Sequence, residues 1–522
     1  MGKTDLNPLT KKPRLSPYVA AVVLGVLYLL FNVHFLQRYV DSDSYVYVHN
    51  ISRSLADSNY MIFNPHHLHL EFRGLVFHQR MVEWLGRFGF TDLLFNLKMR
   101  SLLTACIGII FAVLYFSDVT GRTAWGVLGG LLIGFCHGYL HYSTKVDTAI
   151  FPAASFLSIA WVLNRIGECR SRGIAALSVV GGIFMFFGVM AHQYMVITCI
   201  VGGLCIALPS FPVRIPFFPS PFTISRNPLP RPVIDSKPLV RYASLAILAV
   251  FGALLTIGGY FYAGKTRYNL SFDQPTPTLS RGLWRNTTFQ RWLYSYSTDN
   301  KWGFGFQYFN PRSSAKGYFE AFLSRKNLSK LYTSKLTIPY DVDRPFSADA
   351  FVPNQLAFFT VIAVAGSILF FPMLYKRYGR RFLFLFLSLA ADVAFFTYWE
   401  PGYFEFWLLP SIQVAGLCIL LLNALAEKLS SLVPVLGRAA RLPFYAYVLF
   451  IAILFSSHNM LYYLAPHSRI VISDGVMESI YSEEEYRRLY ANPYYKHPEN
   501  PYQDVYGPMP AFIATTPIRE PR

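Results

Sequence analysis

Long apolar runs separated by short polar segments make up most of the chain. The first run, Pro17 to Gln37, has the ~20 residues that a membrane-spanning helix needs. No small-residue cleavage site follows it, so we do not expect a removable signal peptide. Similar runs lie near 101–116, 123–140, 150–163, 242–263, 351–374, 382–398, 408–425 and 442–463, and two more meet at 192–193. The pattern predicts an all-α polytopic membrane protein with about eleven transmembrane helices.

The basic residues between these runs predict the orientation of the chain. The segment from Met1 to Ser16 is basic and stays in the cytoplasm by the positive-inside rule. The later basic clusters around Arg165, Arg377 and Arg441 then also lie on the cytoplasmic side. The outer face collects acidic, basic, amide and imidazole side chains from distant parts of the chain, namely Asp41, Asp43, His66, His67, Glu71, Lys145, Asp147, His192, Gln193 and Glu405.

We predict two membrane modules on either side of a Pro-rich linker. The N-terminal module, 1–209, contains the first outer loop, 38–100. Apolar spacing from Leu75 to Phe90 predicts an amphipathic helix along the membrane surface in that loop. The basic, Pro-rich linker, 210–241, resists helix formation and lies in the cytoplasm. The remaining units are the C-terminal module, 242–463, its large outer loop, 264–350, and an outer polar tail, 464–522.

Composition supports a membrane protein and argues against two other classes. Hydrophobic residues make up 53% and charged residues 15% of the chain, whereas soluble domains carry about 25% charge. The net charge of +18 does not indicate nucleic-acid binding, because the basic residues are spread over short loops between the apolar runs. The six cysteines have no metal-ligand spacing, and the long polar loops contain none, so no disulfide framework is expected.

Two carboxylates follow the first apolar run directly. Asp41 and Asp43 are two residues apart, a spacing that places both side chains on the same side of an extended segment. One could then take a proton from an acceptor hydroxyl while the other binds or orients the substrate. The same Asp-Ser-Asp-Ser sequence is also a good helix start, so a purely structural role remains open.

A group of imidazoles and charged residues follows in the same outer loop. In an extended chain, His67, His69 and Glu71 would share one face. Contact with a donor phosphate or an acceptor, a zinc or manganese site, and a structural role are all compatible with these residue types. The other members of the group are His66 and the guanidinium residues Arg73 and Arg80, which suit phosphate oxygens.

Three further polar positions interrupt or end apolar runs on the outer side. Lys145 and Asp147 carry the charge between the third and fourth runs, where an interfacial anchor is the alternative to a site role. His192 and Gln193 form a polar pair inside an apolar stretch and need either partners or a function. Glu405 is flanked by aromatic residues, which could raise the pKa of its carboxyl group or form a platform for a sugar.

The acidic pair after the first run, the amphipathic helices of that loop and the number of runs resemble the GT-C fold of integral-membrane glycosyltransferases. The resemblance implies that an acidic residue of the first outer loop, here Asp41 or Asp43, is the catalytic base. It implies a second acidic residue in the next outer loop, which Asp147 matches. The segment Trp399 to Trp407 is similar to a late outer-loop motif of bacterial members. The segment Asn64 to His69 is not general in the superfamily and suggests a particular subfamily.

The resemblance implies an inverting glycosyltransferase, a hexosyl- or pentosyltransferase of the cell envelope. Its donor would be a polyprenyl-phosphate-linked sugar and its acceptor a glycan, lipid or protein on the periplasmic or lumenal side. No cofactor is expected, with a divalent metal left open, and no nucleic-acid partner. The bacterial inner membrane is the preferred location and the endoplasmic reticulum the alternative. A transporter and an O-antigen polymerase or ligase, which would depend on Arg281, Arg285 and Arg291, are the competing hypotheses.

Overall fold

A computed structural model describes residues 16–36, 42–56, 63, 67–168, 173–207, 238–267, 309–324, 351–399, 401–437 and 439–464. Several predicted features therefore lie wholly or mostly outside the described residues. They are the basic leader, Asp41, His66, the Pro-rich linker, most of the large outer loop with Arg281, Arg285 and Arg291, and the C-terminal tail. The division into modules stays a prediction.

The described residues form α-helices joined by short turns and contain no β-strand. The helices in chain order are α1 Pro17–Val33, α2 Ser42–Ala56, α3 Leu70–Leu85, α4 Leu93–Thr120, α5 Thr123–Gly134, α6 His137–Thr144, α7 Ile150–Glu168, α8 Ile174–Ala191, α9 Met195–Ala207, α10 Pro238–Phe261, α11 Pro311–Phe322, α12 Phe351–Leu369, α13 Phe371–Tyr378, α14 Arg380–Trp399, α15 Leu408–Leu432 and α16 Leu442–Asn459.

Seven of the described helices are long and apolar enough to cross a membrane, namely α4, α8, α10, α12, α14, α15 and α16. The pair α5 and α6 would make an eighth span, and α1, α7 and α9 are shorter apolar helices. The chain is therefore an all-α, multi-pass membrane protein, and the predicted fold class is confirmed. The count of about eleven spans stays a prediction.

The third predicted span is not one straight helix, as the apolar run at 123–140 suggested. It bends by 69° between α5 and α6. The first half is rich in glycine and apolar residues, whereas the second, from His137 to Thr144, is polar and entirely buried. Polar side chains need partners in the protein interior, and α6 packs mainly against α4 and α11.

Helix α15 is the central element of the fold. In its apolar stretch of 18 residues, 94% of the residues are buried within the protein. In the corresponding stretch of Tyr242–Lys265, which includes most of α10, the share is 22%. A helix that is apolar all round fits such a position, because neighbours cover every face. Helices α5, α12, α14 and α16 pack against it. Its first residue, Leu408, comes three positions after Glu405, so this rigid helix holds one side of the outer face.

The first outer loop contains two helices, α2 and α3, which pack on each other and on α4. The amphipathic helix predicted from Leu75 begins earlier, at Leu70, and ends at Leu85. Its exposed apolar side includes Trp84, which is 65% exposed and suits the predicted position at the membrane surface. Helix α4 is longer than the predicted 101–116, and its first turns carry buried polar groups.

Ion pairs join the helix ends that are predicted to lie in the cytoplasm. Glu427 of α15 pairs with Arg122, at 3.8 Å, and with Arg377 of α13. Asp118 of α4 pairs with Arg165 of α7 at 2.8 Å. These contacts bring together residues that the positive-inside rule places on one side of the membrane.

Helices α4 and α5 approach closely at Gly126, and we predict that a larger side chain there destabilises the fold. A Cβ at this position would overlap the Ser117 hydroxyl and the Val113 carbonyl oxygen. We expect Gly126→Leu to reduce stability by about 1–3 kcal/mol through overpacking. Thermal unfolding in detergent measures the effect, with Gly258→Leu as the matched control because nothing lies within 4 Å of a Cβ at Gly258. Equal unfolding temperatures for the two variants would contradict the packing.

Candidate functional site

Four outer segments that are far apart in sequence meet at one place. The Ser44 hydroxyl in the first turn of α2 donates a hydrogen bond to the carbonyl of Val146. Tyr47, one turn further along α2, makes an edge contact with His67, with ring centroids 6.0 Å apart. The His67 ring in turn lies 4.7 Å from that of His192. Helix α2, the segments 67–69 and 145–148, and the turn 192–194 are thereby contiguous.

Thr148 links the two acidic residues of this region. Its hydroxyl donates to Glu405 Oε1 at 2.7 Å, and it also lies 3.3 Å from Asp147 Oδ1. Asp147 Oδ1 accepts the backbone N–H of Thr148 at 2.5 Å and of Ala149 at 3.4 Å. A carboxylate that accepts backbone N–H groups just before a helix start is favoured by the helix dipole as well. The segments carrying Asp147 and Glu405 are thus joined by one hydroxyl, although Thr148 and Glu405 are 257 residues apart in the sequence.

Lys145 and Asp147 form a buried ion pair rather than an exposed anchor at the membrane surface. Their side chains are 2.6 Å apart and only 5% and 3% exposed. The Lys145 ammonium also lies 4.8 Å from the centre of the Tyr142 ring. Removing one partner of such a pair would leave the other charge buried and uncompensated, which is strongly destabilising. The pair therefore holds its charges in fixed positions at the site.

Aromatic rings hold the Glu405 segment on both sides. Phe404 stacks between Tyr142 and His137, with ring centroids 5.4 and 5.2 Å away. Phe406 stacks on Trp399 at 5.7 Å and makes an edge contact with His192 at 5.7 Å. Glu405 lies between these two anchored rings, so the orientation of its carboxylate is set by packing. Glu405 itself is buried.

His67 and His192 are neutral imidazoles in two different tautomers. His67 Nδ1 lies 3.1 Å from the Ala191 carbonyl, an acceptor, so Nδ1 carries the proton and Nε2 the lone pair. His192 Nδ1 accepts the backbone N–H of Tyr194 at 3.4 Å, which puts the His192 proton on Nε2. Burial lowers the pKa of His67 to about 4, so the ring is uncharged near neutral pH. One ring can accept a hydrogen bond at Nε2, and the other can donate one.

The expected common face of His67, His69 and Glu71 is wrong, because the chain becomes helical at Leu70. His69 instead makes an edge contact with Phe186 at 4.9 Å. Burial, with a smaller contribution from Arg73, lowers the pKa of His69 to about 4. Glu71 lies in the first turn of α3, is fully buried and accepts a hydrogen bond from Asn50 at 3.3 Å. Glu71 thereby links α2 to α3.

The predicted Arg73 and the unpredicted Arg100 make contacts that position this loop. The Arg73 guanidinium sits 4.6 Å from the centre of the Phe187 ring, although the residue as a whole is exposed. Arg100 was not chosen from the sequence because it ends an outer loop at an apolar run. Its side chain is buried, donates from Nη1 to the Leu70 carbonyl at 2.6 Å and lies over the Phe151 ring at 4.7 Å. Arg100 thus connects the start of α3 to α4 and α7.

The remaining predicted site residues are Asp43, Arg80 and Gln193. Helix α2 starts at Ser42, so Asp43 lies in a helical first turn, which agrees with the alternative of a helix start. Asp41 lies outside the described residues, so the arrangement of the acidic pair stays a prediction. The Asp43 side chain is not among the described atoms, and Arg80 forms an exposed ion pair with Glu83. Gln193 lies in a tight turn, as expected, and donates to the Tyr260 hydroxyl at 3.0 Å.

Metal binding finds no support in the described ranges. Their His, Cys, Asp and Glu side chains form no group of three or more that could hold a metal ion. Besides Arg100, sequence reasoning missed two uncharged residues that connect the charged ones, Thr148 and Tyr194, whereas Phe404 and Phe406 are the aromatic residues noted beside Glu405. Burial and the neighbouring Glu405 carboxylate raise the pKa of Tyr194 well above its ordinary value, so its phenol stays protonated. Only the position of Thr148 directly after Asp147 offered a signal.

No protein-family model matches the sequence, and no curated protein matches it. Among solved structures, the chain is similar to ArnT from Cupriavidus metallidurans bound to undecaprenyl phosphate. The TM-score is 0.47 at 12% identity, over 86% of this chain and 76% of that one. For ArnT in the apo state the TM-score is 0.48 at 12% identity, with coverages of 87% and 78%. For the Archaeoglobus fulgidus oligosaccharyltransferase in the apo form it is 0.44 at 16% identity, with coverages of 88% and 56%.

These structural neighbours are of the GT-C type that the sequence resembles. TM-scores below 0.5 and identities of 12–16% transfer neither residue roles nor an activity to this chain.

The neutral histidines predict a loss of stability in mild acid. The pKa values of His67 and His69 are about 4 in the folded chain, against an ordinary value of 6.5. Between pH 6.5 and 4 the unfolded chain binds protons that the folded chain excludes, so stability falls as the pH is lowered through this window. We expect a smaller drop in unfolding temperature from pH 7 to pH 5 for His67→Gln/His69→Gln than for the wild type. The exposed His34→Gln serves as the control, and an unchanged drop in the double variant would contradict the assignment.

Proposed function

We propose that this chain is an inverting glycosyltransferase that moves a sugar from a polyprenyl-phosphate donor to an acceptor hydroxyl on the outer side of the membrane. The observation that supports it most is that four separate segments of the chain contact one another in one polar cluster. These segments contain Ser44, Asp147, His192 and Glu405. The membrane helices and the sequence resemblance to GT-C glycosyltransferases support the general kind of enzyme. The donor, the inversion and the sidedness are proposals from the site and from the sequence resemblance.

Asp43 is our first candidate for the catalytic base and Asp41 the second. Asp43 directly precedes Ser44, whose hydroxyl bonds to Val146, so the start of α2 lies beside the Asp147 segment. In the proposed reaction the aspartate takes the proton of the acceptor hydroxyl. The acceptor oxygen bonds to the anomeric carbon as the bond from that carbon to the phosphate oxygen breaks. Attack opposite the leaving group inverts the configuration.

The carboxylates and the cations of the site have complementary roles in this scheme. Glu405 and Asp147 are fixed by Thr148 and would stabilise positive charge that develops on the sugar ring. Lys145 and Arg73 would offset negative charge on the departing phosphate, as preorganised donors do in other active sites. The Nε2–H group of neutral His192 can donate to a sugar or phosphate oxygen. The other proposed substrate contacts are His66, His67, His69, Glu71 and Gln193.

An apolar cleft of about 630 Å³ is large enough to bind the lipid part of a donor. It lies between α11, α12, α14 and α15, with Tyr318, Val364, Phe386 and Val393 in its walls. Trp407, at one end of the cleft, is two residues from Glu405. This volume is in the range of ligand pockets, about 300–1,000 Å³. We infer that an isoprenoid tail lies here while its phosphate faces the polar cluster.

The base assignment predicts the loss of transfer in one aspartate variant. We expect either Asp43→Asn or Asp41→Asn to reduce transfer at least about 10²-fold, because general base catalysis contributes about 10²–10⁴-fold. Labelled sugar transfer from a panel of polyprenyl-phosphate donors in purified membranes measures the rate, with and without chelator. Full activity in both variants would remove the mechanism. Selective loss in variants of Arg281, Arg285 and Arg291 instead would favour the polymerase or ligase hypothesis.

The tail site predicts an effect that depends on donor chain length. Ala390 lines the cleft, and Ala390→Phe should fill part of it. We expect the KM for a long-chain donor to rise about tenfold, equivalent to about 1.4 kcal/mol, and the KM for a short-chain donor to change little. Val361→Phe is the control, since Val361 is an exposed residue of α12 that does not line the cleft. Equal effects on both donors would argue against a tail in this cleft.

A further inference from the structure

Asp392 and Gln413 form a fully buried polar pair between two membrane helices. Asp392 lies in the middle of α14 and Gln413 in the second turn of α15, and both side chains are 0% exposed. Gln413 Nε2 donates a hydrogen bond to Asp392 Oδ2 at 2.6 Å. The two other oxygens, Asp392 Oδ1 and Gln413 Oε1, are buried and have no hydrogen-bond donor in the described part of the chain.

An ionised Asp392 does not fit these surroundings. A carboxylate inside a membrane span is costly unless a cation or several donors compensate for its charge. No Lys, Arg or His of the described ranges forms an ion pair with Asp392, and its one hydrogen bond comes from a neutral amide. With an ionised Asp392, the acceptor oxygens Asp392 Oδ1 and Gln413 Oε1 would also both lack a hydrogen-bond donor in the described part of the chain. Each would then cost the free energy of its desolvation.

We propose that Asp392 is held as the neutral carboxylic acid and closes a reciprocal pair with Gln413. The added proton on Oδ1 is donated to Gln413 Oε1, while Gln413 Nε2 continues to donate to Oδ2. A single proton thereby gives both unpartnered oxygens a hydrogen bond and removes the buried charge. The acid and the amide are matched in shape for two parallel hydrogen bonds of this kind.

The pair lies where it can set the position of the Glu405 segment. Helices α14 and α15 are the two elements that this segment joins. One turn above Asp392, Phe396 stacks on Phe406 at 5.5 Å and touches the Tyr194 ring at 5.3 Å. The reciprocal pair therefore fixes the spacing of the two helices beneath the ring that anchors Glu405. Asp392 and Gln413 are positioning residues, and this part of the inference rests on the proposed function.

Infrared difference spectroscopy in D₂O tests the protonation state without any enzymatic assay. Subtracting the spectrum of Asp392→Asn from that of the wild type should reveal the C=O stretch of a protonated carboxylic acid, above the amide I band. The matched control is Asp118→Asn, because Asp118 forms a less buried ion pair with Arg165 and should contribute carboxylate bands instead. Carboxylate bands in the Asp392 difference spectrum would overturn the proposal.

Thermal unfolding and transfer assays supply a second test. Asn can form the same reciprocal pair, so Asp392→Asn should unfold within about 2 °C of the wild type, whereas Asp392→Ala should unfold several degrees lower. The Asn variant should also keep transfer within about twofold, and the Ala variant should lose kcat rather than raise KM. An Asn variant as unstable as the Ala variant would overturn the pair. If no donor supports transfer in the wild type, the proposed function fails, while the infrared result still decides the pair.

Discussion

The outer site depends on one requirement, that polar groups buried at the ends of membrane helices must find partners within the protein. Thr148 meets this requirement for two acidic segments at once, because it is bonded to Glu405 and adjoins Asp147. Lys145 then neutralises Asp147, and stacked rings on either side hold Glu405 in place. If these contacts were removed, the carboxylates would be buried without compensation. The contacts that hold the neighbouring ends of α7 and α15 together would then also be lost.

The fold could be predicted because apolar length is a strong signal. Spans such as α4 and α14 follow directly from runs of apolar residues near the thickness of a bilayer. The bend between α5 and α6 could not be found in the same way, since the apolar run continues to Leu140 and only tertiary contacts reveal that His137 is buried. The start of α3 at Leu70 was missed for a related reason. Glu71 and Arg73 look like loop residues until Asn50 and Phe187 are seen beside them.

The site could be predicted only in part. Charged residues and histidines beside apolar runs pointed to Asp147, His192 and Glu405, and the structure brings their segments together. The arrangement of His67, His69 and Glu71 was wrong, because an alternating face assumes an extended chain and this chain is helical from Leu70. Thr148 was missed, because nothing in the local sequence distinguishes a bridging hydroxyl from many others. The aromatic residues beside Glu405 were noted, but their contacts could not be predicted in a chain with 17% aromatic residues.

The proposed site can form only if the start of α2 lies against the segment before α7. Disulfide trapping of Ser44→Cys with Val146→Cys, in a chain whose native cysteines are replaced, measures this directly. We predict rapid cross-linking under mild oxidation, and none between Ser44→Cys and Val435→Cys, which belongs to the predicted cytoplasmic side. A Ser44–Val146 pair that fails to cross-link, in a double variant that unfolds at the same temperature as the cysteine-free parent, would contradict a shared site.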